Sequence, residues 1–407
     1  MWNPAGRGTE RDVSSAPAGL PAPLRLAFVS HCLRTDDQSA GRIGGAERAA
    51  AELLAALRRR DDVAVTPIVA SAETDRLRFA TFAVGALGKL RRMAERGEVQ
   101  AILFTAMPTA WMSWVLAPVL RRHGVVTASI CHGHDVTMPF APYQRLVHKT
   151  FGVLDAVLPV SRATGDHCLA RGLDPRRLHV TPNGADAARF DAPPSPDARR
   201  ALLRAAFPSE TANLPDDALV VCTVGRQVRR KGHAWFAGAV MPRLPDDVHL
   251  WLVGEGPEAV AIETAAIRAG TAGRVRRLGA ISEHRLAALY RGADLFVMPN
   301  IPVADDIEGF GLVLLEANLN GLPVVAAELE GVGEVIRDGV NGMLAGSQDA
   351  DAFVKAILAL RGDPAERRRL ALSAEAHARD RYSWRGVAES QMGVLTAARR
   401  RILAAAV

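Results

Sequence analysis

Two carboxylates eight positions apart, Glu308 and Glu316, bracket a glycine pair in the run Glu308-Gly309-Phe310-Gly311-Leu312-Val313-Leu314-Leu315-Glu316. The apolar residues after the glycines read as a helix, with Glu308 just outside it. Glu316 falls about two turns inside, on nearly the same side at ~100° per residue. The free amides of Phe310 and Gly311 at such a helix opening favour an anion, phosphate above all. Flanking carboxylates accept hydrogen bonds from hydroxyls, one from a sugar and the other from a ribose. A second run, Gly225-Arg226 with Arg229, Arg230, Lys231 and Gly232, concentrates cations directly after the apolar segment Ala218 to Val224. Arginine grips phosphate through a planar fork and lysine as a point charge, so the loop suits a diphosphate leaving group. A solvated basic turn and a pair of surface glutamates are the plainer alternatives. The glycines argue against both, because they admit close backbone approach.

Other patterns are less specific. Val253-Gly254-Glu255-Gly256-Pro257-Glu258-Ala259 matches the Gly-x-Gly-x-x-Ala dinucleotide fingerprint after a strand, but Pro257 fits the first turn of an ordinary helix. The first strand of the chain is followed instead by Gly41-Arg42-Ile43-Gly44-Gly45-Ala46-Glu47, which makes a nicotinamide oxidoreductase a poor competitor. His132-Gly133-His134-Asp135 also follows an apolar strand. Histidines at i and i+2 share a face of a strand and could hold a metal, and a structural histidine bonded to carbonyls is a second alternative. No second cluster completes a coordination sphere. Asp349-Ala350-Asp351 has the metal-holding Asp-x-Asp form but opens the apolar-periodic stretch Ala352 to Leu360, where Asp serves as a cap. Asp305-Asp306 is the other acidic pair near the site. The expectation is a site without metal or cofactor, its phosphate charge met by cations and helix amides.

The elements that must position these residues alternate apolar strands with helical patterns, the signature of α/β architecture with parallel sheets covered on both faces. Candidate strands are Leu24 to Ser30, Val63 to Val69, Ala101 to Thr105, Val125 to Cys131, Ala156 to Val160 and Leu178 to Thr181. After a proline-rich break come Ala218 to Val224, Val248 to Val253, Val275 to Gly279, Asp294 to Met298 and Pro323 to Ala327. The organisation expected is a flexible tail over 1–23, an N-terminal doubly wound domain over 24–190 and a connection over 191–217. A second doubly wound domain follows over 218–383, then a helix over 384–407 packing back toward the first domain.

At 407 residues the chain is long enough for two cores, and 49% hydrophobic with 23% charged residues is a folded composition. A net charge of +6 favours anionic partners. Nucleic acid is disfavoured, because aromatics make up only 5% and the cations are dispersed along the chain. Cys32, Cys131, Cys168 and Cys222 stand apart, which suits a reducing cytoplasm. The first 23 residues lack a signal-peptide core. Trp111 to Leu120, the longest apolar stretch, is half a membrane span. Arg91, Arg92, Arg121 and Arg122 beside apolar segments keep peripheral docking at the inner membrane face open.

Taken together, Gly225-Arg226 with Lys231-Gly232, Gly254-Glu255-Gly256-Pro257, Glu308 to Glu316, and Pro182-Asn183-Gly184-Ala185-Asp186 with Phe190 resemble the retaining family 4 glycosyltransferases of GT-B fold. The likeness covers roughly residues 24 to 400 and is strongest from 216 to 345. It implies two Rossmann-like domains facing a cleft, a nucleotide-sugar donor held mostly by the second, and an acceptor held mostly by the first. The acceptor class stays open among glycans, lipid-linked glycans and small molecules. By that resemblance Arg226 and Lys231 bind donor phosphates, Glu308 the transferred sugar and Glu316 the ribose. Phe310 and Gly311 add backbone amides from the segment Gly309 to Leu312, the base packs near Gly279, and His132 contacts the sugar near its reacting carbon. Gly44 and Gly45 resemble a glycine-rich loop approaching from the first domain, though an ordinary helix entry reads the same way. A catalytically inert sugar-nucleotide-binding protein remains the alternative from another class.

Overall fold

The structure, a computed structural model, describes residues 22–31, 45–70, 76–185 and 194–405. In the first half the elements are β1 (Leu24–Ser30), α1 (Gly45–Arg58), β2 (Val63–Val69), α2 (Arg76–Glu95), β3 (Ala101–Phe104), α3 (Met107–Arg122), β4 (Val126–Cys131), α4 (His134–Thr137), α5 (Ala141–Phe151), β5 (Ala156–Pro159) and α6 (Arg162–Leu169). The second half runs α7 (Pro196–Ala206), α8 (Pro208–Thr211), β6 (Leu219–Val224), α9 (His233–Trp235), β7 (Val248–Val253), α10 (Ala259–Arg268), β8 (Val275–Gly279), α11 (Glu283–Gly292) and β9 (Leu295–Met298). It ends with α12 (Leu312–Leu319), β10 (Val324–Glu328), α13 (Val332–Val335), β11 (Met343–Gly346), α14 (Ala350–Gly362), α15 (Pro364–Arg381) and α16 (Trp384–Ala405).

All strand pairs are parallel. The first sheet is ordered β2-β1-β3-β4-β5 and the second β11-β10-β9-β6-β7-β8. Both are doubly wound: the chain builds outward from a central strand, then returns and builds the other way. That leaves a switch point between β1 and β3 and another between β6 and β9, where ligands settle beyond the strand ends. The strands are continuous apolar runs because both faces are covered, and β3, β4, β5 and β9 are buried throughout.

One apolar core is common to both halves, from Leu26, Phe28 and Leu53 to Trp251, Leu289 and Leu314, with Trp384 and Leu395 of α16 within it. Two further cores fill the remaining sheet faces, one in each half. Helix α16 lies against α1, β4 and β5, so the end of the chain packs on the first sheet. The Trp384 indole donates to Glu52, and Ala185 N donates to Tyr382 O at 2.7 Å.

Three local readings differ from the structure. The proline-rich residues after 194 form α7 and α8 rather than an irregular connection. Ser195 caps α7 by accepting from Ala198 N, and proline sits in each first turn, where its missing N–H costs nothing. Helix α7 packs on α11, and Phe207 meets Trp251 edge-on at 5.5 Å, so this segment is built into the second half. Leu178 to Thr181 yields only an isolated bridge from Leu178 to Val157. Met343–Gly346 adds an edge strand too short and glycine-bounded to show a period. Among the described residues, no helix is long and apolar enough to cross a membrane.

Candidate active site

Three glycines end adjacent strands of the second sheet: Gly225 after β6, Gly254 after β7 and Gly279 at the tip of β8. Gly225 N donates to Val253 O at 3.0 Å and Gly254 N to Gly279 O at 2.8 Å, so they form one backbone shelf. At Gly254 the backbone has φ +114°, and a Cβ there would lie 2.1 Å from Gly225 O. Only glycine fits. The buried Gln227 fixes the shelf by donating to Gly254 O at 2.8 Å and accepting from Arg277 Nε at 3.0 Å. Arg226 stands exposed beside it, and no side chain would crowd the Cβ position of Gly279.

Across the β6/β9 switch point, the cationic loop after β6 meets the acidic loop after β9. Lys231 Nζ lies 2.5 Å from Glu308 Oε2, and Arg230 pairs with the same oxygen. Arg230 Nε donates to Asp306 at 3.0 Å, and Asn300 Nδ2 donates to Glu308 at 3.2 Å. Burial alone would raise the Glu308 carboxyl, but Lys231 and Arg230 hold it at about 2. Glu308 is therefore ionised at neutral pH. Burial lowers the Lys231 ammonium, opposed by Glu308 and assisted by Arg230.

The first half reaches this cluster through backbone. Gly133 and Glu308 form an antiparallel bridge, and a Cβ on Gly309 would lie 1.8 Å from His132 O. His132 Nε2 lies 2.9 Å from Thr105 O, beyond the neighbouring strand β3. Asp135 braces the turn by accepting from His132 N at 2.8 Å and Met107 N at 3.1 Å. His134 turns away toward Asp305 O at 3.3 Å and the Asp306 carboxylate at 3.6 Å, because α4 begins there and breaks the strand alternation. The two histidines thus do not share a face. Among the described residues, no three His, Cys, Asp or Glu side chains are grouped to hold a metal ion. Asp349 caps α14 by accepting from Ala352 N at 2.9 Å, and Asp351 pairs with Arg243. A second crossing places the Glu334 carboxylate at the start of α6, accepting from Arg162 N at 2.9 Å and Ala163 N at 3.1 Å.

Glu316 lies elsewhere. Its Oε2 accepts from the buried Tyr290 hydroxyl at 2.8 Å, and its Oε1 from Arg48 of α1. Helix α12 starts at Leu312, so Glu308 stands outside it as expected and Glu316 lies within it; residues 308 to 311 are not helical, and Gly311, at φ +84°, turns the chain into the helix. Glu308 and Glu316 have no partner in common: Lys231, Arg230 and Asn300 hold the first, Arg48 and Tyr290 the second. The Phe310 ring packs on Tyr382 at 5.8 Å, and Gly45 opens α1 beside Leu312, 3.6 Å from its nearest methyl to the Cβ position. Gly41 to Gly44, Asp186 and Phe190 lie outside the described residues. Arg230, Asn300, Tyr290 and Arg48 were not singled out as site residues from sequence. Arg230 had a visible signal in the basic loop, whereas the others lie in three separate segments that only folding brings together.

Comparison with known proteins agrees with this geometry. Residues 43–189 match the family described as Glycosyltransferase Family 4, and residues 218–363 match Glycosyl transferases group 1. A GDP-mannose-dependent alpha-(1-6)-phosphatidylinositol monomannoside mannosyltransferase of Mycolicibacterium smegmatis is 32% identical over 305 residues, which are 73% of this chain and 76% of that protein. A D-inositol 3-phosphate glycosyltransferase of Xylanimonas cellulosilytica is 35% identical over 56% of this chain, and the match spans about half of its own length, 54%. Among solved structures, Anabaena Alr3699/HepE in complex with UDP and glucose aligns with 92% of this chain and 100% of its own, at TM-score 0.71 and 20% identity. Sucrose-phosphate synthase from Thermosynechococcus elongatus aligns with 95% and 100%, at TM-score 0.75 and 22% identity. Two doubly wound domains meeting at their strand ends, with these relatives, define a nucleotide-sugar-dependent glycosyltransferase of GT-B fold. The chain belongs to glycosyltransferase family 4.

Proposed function

We propose that this enzyme transfers a sugar from a nucleoside-diphosphate donor to an acceptor hydroxyl with retention at the anomeric carbon, in polysaccharide or glycoconjugate synthesis. The observation that carries the reading is the buried Lys231–Arg230–Glu308 cluster at the β6/β9 switch point, facing the His132 turn of the other domain. In this reading Arg226 and Lys231 receive the departing diphosphate over the Gly225–Gly254 shelf. Glu308, ionised, accepts from hydroxyls of the transferred sugar, with the amides of Phe310 and Gly311 nearby and His132 on the acceptor side. Glu316 accepts from the ribose, and the base lies over the open space at Gly279. A covalent route would require a carboxylate beneath the anomeric carbon. None is assigned, so the acceptor attacks from the face the leaving group vacates, and the departing phosphate takes its proton.

The mannosyltransferase relative makes GDP-mannose the first donor to test. NMR of the product decides the stereochemistry: retention is expected, and an inverted product sinks the front-face route.

A further inference from the structure

Arg48 belongs to α1 of the first domain, yet its guanidinium lies between two carboxylates of the second. One terminal nitrogen, Nη1, donates to Glu316 Oε1, and the other, Nη2, to Glu283 Oε1 at 2.5 Å. The side chain is only 17% exposed, as expected of a group enclosed where the domains meet. Glu283 opens α11 just after the Ser282 cap, and Tyr290 of the same helix holds Glu316 Oε2 at 2.8 Å. Both oxygens of Glu316 are thus engaged from one side each.

An ionised carboxylate offers about four lone-pair sites, two on each oxygen. Tyr290 takes one on Oε2 and Arg48 one on Oε1, which leaves one on each oxygen. That remainder matches a vicinal diol, two hydroxyls on adjacent carbons. The Glu316 carboxylate is held at Oε1 by Arg48 and at Oε2 by Tyr290, and donors on both oxygens fix its plane.

We infer that Arg48 is a positioning residue for ribose recognition: from the first domain it orients the Glu316 carboxylate, so the ribose pocket is complete only when the domains are closed. This rests on the reading of Glu316 as the ribose acceptor. Because the cation and the carboxylate belong to different domains, nucleotide binding and closure become one equilibrium, each favouring the other.

The test uses full-length protein and calorimetric affinities for UDP, GDP and ADP, then for the 2′-deoxy form of whichever binds. Wild type is expected to prefer the ribonucleotide by about tenfold, the worth of a hydrogen bond to a charged acceptor. Arg48→Ala is expected to lose that preference by weakening the ribonucleotide alone, and to raise donor KM with little change in kcat. Arg48→Lys, which keeps the charge but cannot span both glutamates, is expected to fall between them and carries the test if Arg48→Ala does not fold. A ribose preference undiminished in both variants overturns the inference. So does tighter nucleotide binding in either, which would make Arg48 an occupant that ribose displaces. Glu316→Gln separates the two levels: if it leaves the preference intact, or if no diphosphate binds wild type, the ribose assignment itself fails and takes this inference with it. If Glu316→Gln abolishes the preference while the Arg48 variants do not, only the role of Arg48 fails.

Discussion

Glu308 stays charged inside the protein because two cations share one of its oxygens, and each of the three groups would be costly alone. The proposed roles of the two carboxylates are separable. Glu316→Ala is expected to weaken nucleoside diphosphate binding by roughly tenfold, while Glu308→Ala leaves that affinity nearly unchanged and impairs transfer. Isothermal titration of each variant checks this, and the reverse pattern would exchange the assignments. In the proposed reading Lys231 and Arg226 take the phosphate charge that a metal would otherwise neutralise. We expect near-full activity in excess EDTA, together with a loss on the order of 100-fold for Lys231→Ala. Inactivation by EDTA with rescue by Mg²⁺ would assign that charge to a metal instead. His233, next to Gly232 at the loop's end, is held neutral by burial, then by Lys231 and Arg230, with its pKa lowered to about 3. Below the unfolded value of about 6.5, the unfolded chain takes up a proton that the folded one refuses. This contribution is therefore complete above that pH and lost as pH falls toward 3, by roughly 1.4 kcal/mol per unit. Between pH 7 and 5.5, wild type should lose about 1 kcal/mol more than His233→Gln in denaturant unfolding. Equal losses would show that His233 is protonated in the fold.

At the scale of elements, the site depends on loops that touch backbone to backbone. A Cβ at Gly309 would sit 1.8 Å from His132 O, so the acidic loop and the His132 turn could not both keep their places. Gly309→Ala is expected to lower transfer at least tenfold and stability by about 1–3 kcal/mol, since the clash is with a carbonyl rather than a flexible side chain. Gly393 is the control: it is exposed in α16, and a Cβ would meet nothing within 4 Å. Gly393→Ala should leave activity intact and stabilise by about 0.5–1 kcal/mol. Thermal melts and initial rates on the pair decide it, and full activity in Gly309→Ala would show that the bridge is dispensable.

The whole molecule couples its halves by more than a cleft. Helix α16 returns to α1, β4 and β5, Glu334 sits at the start of α6, and one apolar core is shared. A fragment of the second half should therefore begin at residue 194, because starting at 216 would strip Phe207 from Trp251 and α7 from α11. Residues 194–383 are expected to bind nucleotide, without the ribose preference that Arg48 supports, and not to transfer sugar, since His132 and the acceptor side are missing. Transfer by that fragment would refute a site completed by closure.

Much of this was legible in the residues. Parallel strands buried on both faces leave long apolar runs, so ten of the eleven strands among the described residues, both doubly wound sheets and the cationic loop could be read from local composition. Spacing also marked Glu308, Glu316, Lys231 and the shelf glycines, because chemistry restricted to a few residue types at strand ends is a local signal. Tertiary structure decided the partners. Whether Glu308 faces Lys231, whether Glu316 faces Arg48, and whether His132 and His134 share a face all depend on where α12 and α4 begin and on which strand ends adjoin. Pairings 77 or 268 positions apart leave no periodicity in a single sequence, because they are made by packing two sheets together rather than by the path of one chain segment.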